Sequence, residues 1–395
     1  MNPKLYTKQP WRTLYLAYKV STILLVRVPA WSITYLFTRP RPTWSWRHAM
    51  VVALIRHLTS LSVVVGKLGR WPNHRAIEPD AEGIWIGGAP HLITAELKIW
   101  SAVADVTSIR IPGYWYAKKG LSPRPTAPVR PDRRVFLFLH GGGFTQLSAH
   151  PKAATSILPR SFVELVDDAP YALAVEYRLS SSYPFAEEHP FPTALLDALA
   201  GYNYLVSVMG YRPSNIIVVG DSAGGNIALA LTRYLVENEG TTKVPLPSPP
   251  GHLLLSSPSV DLSISHLTPV SSALTHNMDI LGDSYGDVRH LPYRTYAYVG
   301  PFGFGMASCN RYISPACLSL LMRARFKNFP PTFVIAGGAE RFLDSIRTLR
   351  DRMVKDMGEA HVTYYEAEDA IHDYLVFPWH PCRAATLTAV RAWLT

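Results

Sequence analysis

Ile216-Ile-Val-Val-Gly-Asp-Ser-Ala-Gly-Gly225 is the stretch whose reading decides the fold. Its first four residues are apolar and β-branched, the composition of a strand buried on both faces. Gly220-Asp-Ser-Ala-Gly224 then fits the pattern G-x-S-x-G. That pattern marks a sharp strand-to-helix turn that lifts a serine oxygen clear of a sheet, with glycines where side chains would clash. Helical periodicity follows over Asn226 to Glu237. Strand, turn and helix in this order predict an α/β fold with Ser222 as a nucleophile at the carboxyl end of a parallel strand. The five-residue pattern is weak alone, because Gly282-Asp-Ser-Tyr-Gly286 matches it too. The second copy follows Asn277-Met-Asp-Ile280 and runs into Val288-Arg-His-Leu-Pro292, with neither strand nor helix pattern, so Ser284 is expected in a loop.

Working outward, Val135–Leu139, Tyr171–Val175, Leu253–Leu255 and Thr332–Ile335 read as further buried strands, with helical periodicity over Thr193–Val208. His361-Val-Thr-Tyr-Tyr365 also looks like a strand. Val244–Pro250 is a proline-rich loop, and residues 262–328, rich in Ser, Tyr, Gly and Pro, read as an insertion between two strands. Directly after the strand at 135–139 comes His140-Gly-Gly-Gly-Phe144. Acyl transfer at a serine passes through a tetrahedral oxyanion, and glycines allow backbone N–H donors to approach it. The expected donors are Gly141, Gly142 and Gly143, together with Ala223 just after the nucleophile. His140 is expected to orient this loop.

For such a turn the chain order is serine, then a carboxylate, then histidine. His372 stands late in the chain, in Ala370-Ile-His-Asp373, and is the expected base; His361 and His380 are read as structural. The acid should sit at the carboxyl end of the strand at 332–335 to fix the imidazole tautomer. Glu340 occupies that place, and Asp344, one helical turn on, is the alternative. Asp221 is expected to fix the turn around Ser222, and Glu187 and Glu188 to be solvated.

His140–Phe144, Tyr177-Arg-Leu179 with His189-Pro-Phe-Pro192, and Gly220–Gly225 together resemble the hormone-sensitive-lipase family of esterases. Ser257-Pro-Ser-Val-Asp-Leu262 and Tyr312-Ile-Ser-Pro315 are similar to its fungal, steryl acetyl hydrolase-like branch. The resemblance covers roughly residues 80–395. It implies an α/β-hydrolase fold: a mostly parallel sheet flanked by helices, with a helical cap built partly from the N-terminus. It also implies ester hydrolysis without cofactor or metal, with the acid at Glu340 and the histidine at His372. It does not identify the substrate, because the family accepts many acyl and alcohol groups; a small lipophilic ester, acetyl or short-chain esters of lipophilic alcohols included, is the expected partner. Two other uses of the fold stand as alternatives. One is a biosynthetic enzyme performing acyl transfer, dehydration or lactonisation. The other is a non-catalytic ligand receptor, which typically keeps the serine and loses the histidine.

Composition bounds the rest. The 395 residues, 48% apolar and 17% charged, suffice for one large α/β domain carrying insertions. Three cysteines, Cys309, Cys317 and Cys382, fit neither a disulfide framework nor a zinc site. The net charge of +10 is uneven: residues 1–77 hold twelve Lys or Arg and no acid, leaving 27 basic against 29 acidic residues elsewhere. A nucleic-acid enzyme would place its positive charge along the active cleft, so no nucleic-acid partner is expected. The division is therefore a basic, aromatic-rich segment at 1–77 and a catalytic domain at 78–395. Leu14–Phe37 and Val51–Leu68 are apolar but interrupted by Lys19, Arg27, Arg56 and Lys67. With Trp11, Tyr15, Tyr18, Trp31, Tyr35, Trp44 and Trp46 they suggest a cap that touches a membrane interface through residues 1–70; a plain cap over the active site and a true span stand as alternatives, and a cleaved leader is not expected. An intracellular location at the endoplasmic reticulum or another membrane is expected, with the cytoplasm as the alternative. The oligomeric state stays open.

Overall fold

The computed structural model describes residues 5–65, 72–78, 81–130, 132–282 and 293–395. Its strands are β1 (Gly83–Ile86), β2 (Ile111–Ala117), β3 (Val135–Leu139), β4 (Tyr171–Val175), β5 (Ile216–Asp221), β6 (His252–Ser256), β7 (Thr332–Gly337) and β8 (Val362–Ala367). They form one eight-stranded sheet in the order β1-β2-β4-β3-β5-β6-β7-β8. Neighbours from β4 through β8 are parallel, while β1–β2 and β2–β4 are antiparallel. The helices, in chain order, are α1 (Trp11–Thr22), α2 (Val28–Phe37), α3 (Trp46–Val65), α4 (Ala95–Val103), α5 (Ile157–Phe162) and α6 (Thr193–Asn203). After these come α7 (Ala223–Asn238), α8 (Ser272–Thr275), α9 (Tyr293–Val299), α10 (Met306–Cys309), α11 (Leu343–Met357) and α12 (Arg383–Leu394).

The central strands are apolar without interruption because both faces are covered. Val135, Leu137 and Leu139 of β3 point into a core shared with α4, α6, α7 and α11. Phe136 and Phe138 point the other way, into a core shared with α3, α5 and α12. The same alternation splits Ile216 and Val218 from Ile217 and Val219 in β5. This is period-two geometry with helices on each side. The expected parallel strands are present, with β5 running on to Asp221 and β7 to Gly337. His361 itself falls in a short 3-10 turn before β8. The helix expected over Thr193–Val208 is α-helical to Asn203 and continues as a π turn. Not anticipated were β1 and β2, the antiparallel edge: β2 carries Pro112 and Gly113, which strands disfavour.

Between β6 and β7 the described residues of the insertion hold the short helices α8, α9 and α10 and a 3-10 turn at Gly300–Phe302. Ser284 lies outside the described residues. At the N-terminus α1 runs through a π turn at Ile23–Arg27 into α2, giving one helical rod from Trp11 to Phe37. Among the described residues this is the one helix long and apolar enough to cross a membrane, with a mean hydropathy of 1.5, and 11% of its most apolar window is buried. The rod packs on α3, and the turn between them docks beside the loop that carries His372. Trp44 is 1% exposed there and its Nε1 donates to the Asp369 carbonyl at 2.8 Å. Thr43 Oγ1 donates to the Asp369 carboxylate, also at 2.8 Å. Ala49 and Val52 of α3 join Ile371 and Tyr374 in one core.

Candidate active site

Between the end of β5 and the start of α7, Ser222 has φ 49° and ψ −116°, a conformation in which only glycine is at ease. Its surroundings impose it. The Ser222 N–H donates to the Ser256 carbonyl and its carbonyl accepts from Ser259, both at 2.9 Å. The flanking glycines are required sterically: a Cβ on Gly220 would strike the backbone of Gly224, and one on Gly224 would strike the Leu139 carbonyl.

The side chain of Ser222 meets His372, whose Nε2 lies 2.9 Å from Oγ. His372 Nδ1 lies 2.8 Å from Glu340 Oε2, and Glu340 Oε1 accepts the Gly337 N–H at 2.7 Å. The three residues come from the carboxyl ends of β5, β7 and β8, which lie on one half of the sheet. All are buried. Asp344 is left out of this chain of contacts. On the first turn of α11 it accepts the Ser272 N–H at 2.7 Å and pairs with Arg347 at 3.9 Å.

Burial pushes the Glu340 carboxyl above its ordinary range, and contact with His372 pulls it back. Burial by itself would lower the pKa of His372, but the Asp373 and Glu340 carboxylates outweigh it and hold the ring well above its ordinary value. Asp373 Oδ2 is 3.2 Å from His372 Nε2, on the same side as Ser222 Oγ. The Phe342 ring stands edge-on to His372 at 4.9 Å.

After β3, Gly142 (φ 118°) and Gly143 (φ 61°) turn the glycine loop toward the elbow in a conformation that favours glycine. Among the described residues the amides of Gly142, Gly143 and Ala223 donate to no protein group. Gly141 departs from the expectation. Its N–H donates to Asp221 Oδ1 at 3.0 Å, so that donor is already occupied in tying the loop to the elbow. Asp221 thus holds the turn, as its place in the motif suggested. His140 is enclosed and stacked on Tyr177 at 4.2 Å, and burial lowers its pKa to about 4. Its Nδ1 lies 2.7 Å from the Gly141 carbonyl, so the neutral ring braces the loop. His361 is exposed. His380 is buried among His48, Tyr374 and Trp379.

Sequence reasoning missed Asp279, which is fully buried. Its Oδ1 accepts the His372 N–H at 2.9 Å and its Oδ2 accepts the Arg341 N–H at 2.9 Å. One carboxylate from the insertion therefore joins the loop of His372 to the turn of Glu340. The one available signal is an acid set inside the apolar run Met278-Asp-Ile-Leu281.

A family profile for the α/β-hydrolase fold matches residues 136–376, more than half of the chain, and the chain belongs to that family. An esterase of Acinetobacter venetianus is 26% identical over 259 residues, 61% of this chain and 73% of that protein. An acetyl-hydrolase of Streptomyces hygroscopicus is 30% identical over 260 residues, 64% of this chain and 72% of that protein. A solved hormone-sensitive lipase from a metagenome library superimposes with a TM-score of 0.53 at 20% identity, covering 93% of this chain and 97% of that one, a likeness of fold.

Proposed function

We propose that this chain is a serine hydrolase of carboxylic esters. The observation that carries the reading is the unbroken contact from Glu340 through His372 to Ser222 at a strained strand-to-helix turn. Ser222 Oγ attacks the ester carbonyl carbon while His372 Nε2 takes its proton. The oxyanion that forms accepts hydrogen bonds from the amides of Gly142, Gly143 and Ala223. The bond to the alcohol oxygen then breaks, and His372 returns the proton to that oxygen as it leaves. Water attacks the acyl-enzyme with His372 again as base, releasing the acid and restoring Ser222. Throughout, Glu340 fixes the tautomer of His372 and stabilises the imidazolium.

The substrates proposed are acetyl or other short-chain esters of lipophilic alcohols. Support comes from the similarity of residues 257–262 and 312–315 to steryl acetyl hydrolase-like proteins, and from the relative named as an acetyl-hydrolase. The basic, aromatic N-terminal segment adds peripheral contact with an intracellular membrane, where such esters partition. The test is a panel of p-nitrophenyl esters from acetyl to palmitoyl. Turnover highest on the short acyl chains and lost in Ser222→Ala is expected; no turnover on any ester would overturn the reading.

A further inference from the structure

The N-terminal rod presents an apolar outward face that nothing among the described residues covers: Leu14, Leu25, Ile33, Leu36 and Phe37 are all exposed, Leu25 by 77% and Phe37 by 83%. Its opposite side packs on α3, and there a cleft of about 100 Å³ opens between the helices, several times what one water needs. Arg27, Arg56, His57 and Ser60 line it, with Trp31 and Tyr35 as walls. The cleft gathers positive charge. Burial lowers the pKa of His57, and Arg27, Lys19 and Arg56 lower it further. His57 Nε2 is enclosed and has no hydrogen-bond partner among the described residues. No Asp or Glu occurs in the sequence before Glu78, and Arg56 also reaches the insertion, donating to Met278 Sδ at 3.9 Å.

The Ser60 hydroxyl is engaged, donating to the Arg56 carbonyl at 3.0 Å. The two guanidinium groups, with the imidazole nitrogen beside them, suit a compact oxyanion with several acceptor oxygens. The helix that forms it has its other face suited to hydrocarbon. These two observations on one element select the same kind of ligand. We propose that the cleft binds the headgroup phosphate of an anionic phospholipid while the outward face of the rod lies among the acyl chains. The proposal rests on the membrane contact put forward above and adds a headgroup site to it. The helix then lies in the interface plane, with its cations at headgroup level.

The test is co-sedimentation of the full chain with vesicles of phosphatidylcholine alone and of phosphatidylcholine containing phosphatidic acid. The wild type should bind both, with on the order of a tenfold gain from phosphatidic acid. The double variant Arg27→Gln/His57→Gln should lose most of that gain and keep its binding to phosphatidylcholine alone. Arg39→Gln, an exposed cation outside the cleft, should keep the gain. Unchanged melting curves and ester turnover will show that the variants are folded. A full gain in the cleft variant, or an equal loss in Arg39→Gln, would overturn the site and leave only diffuse charge. Binding of inorganic phosphate in the cleft without preference for anionic vesicles would assign a soluble ligand and overturn the lipid. Failure of the wild type to bind any vesicle would overturn the membrane contact itself, and the site with it.

Discussion

Ser222 is held by neighbours that leave its backbone no alternative, and the chemistry around it is decided by charges within one or two residues. Glu340 and Asp344 stand one helical turn apart in sequence, so spacing does not separate them. The turn at Gly337–Gly338 does, by placing Glu340 against Nδ1 of His372 while Asp344 faces Ser272 and Arg347. Glu340→Gln is therefore expected to lower kcat by on the order of 10²–10⁴-fold, whereas Asp344→Asn should stay within about threefold, both read on p-nitrophenyl butyrate. Asp373 gives a second expectation. His372 must be neutral to accept the proton of Ser222, and nearby carboxylates stabilise its charged form. The acid limb of kcat/KM should thus have its midpoint above the ordinary histidine value. Asp373→Asn removes one of those negative charges, which lowers the pKa of His372 and should move the limb to lower pH by about one unit. Ser222, His372 and the glycine loop were legible as residue types in a fixed chain order. Asp279 was not, because it acts on backbone N–H groups, a partner that leaves no motif. Nor was the engagement of Gly141, which depends on where the Asp221 carboxylate points.

Elements were legible where burial is two-sided. Strands β3 to β7 announce themselves as apolar runs, and α7 as the helix after the glycines. The antiparallel edge β1–β2 was hidden because Pro112 and Gly113 interrupt its pattern, and tertiary pairing with β4 overrides that weak propensity. The N-terminal segment was legible as aromatic and basic, but its docking was not, because it turns on a contact some 300 residues away in sequence. Trp44 is the anchor of that docking. Trp44→Ala is expected to cost about 3–5 kcal/mol, read as a lower urea midpoint. Loss of activity at urea concentrations below global unfolding would show that this contact also steadies the His372 loop.

At the scale of the whole molecule, a positive N-terminal segment sits on a near-neutral catalytic body, and one buried acid in that body links folding to pH. Glu176 follows β4, accepts the Ala149 N–H at 2.8 Å and a bond from Ser148, and burial raises its pKa to about 8 from an ordinary 4.5. The native state therefore holds this proton more tightly than the unfolded chain does. The stability it contributes is full below about pH 4.5 and falls as pH rises through about 8, by on the order of a few kcal/mol. Glu176→Gln should flatten this decline, giving a smaller difference in urea midpoint between pH 5 and pH 8 than the wild type. The central claim, that the parallel sheet and its turn exist to present one serine, has a more direct test. Incubate the full chain with an alkyl p-nitrophenyl phosphonate, which traps an activated serine, and measure intact mass. The account predicts one adduct per chain, on the peptide holding Ser222, and none in Ser222→Ala. An adduct that persists in Ser222→Ala, or ester turnover that survives the substitution, would contradict it.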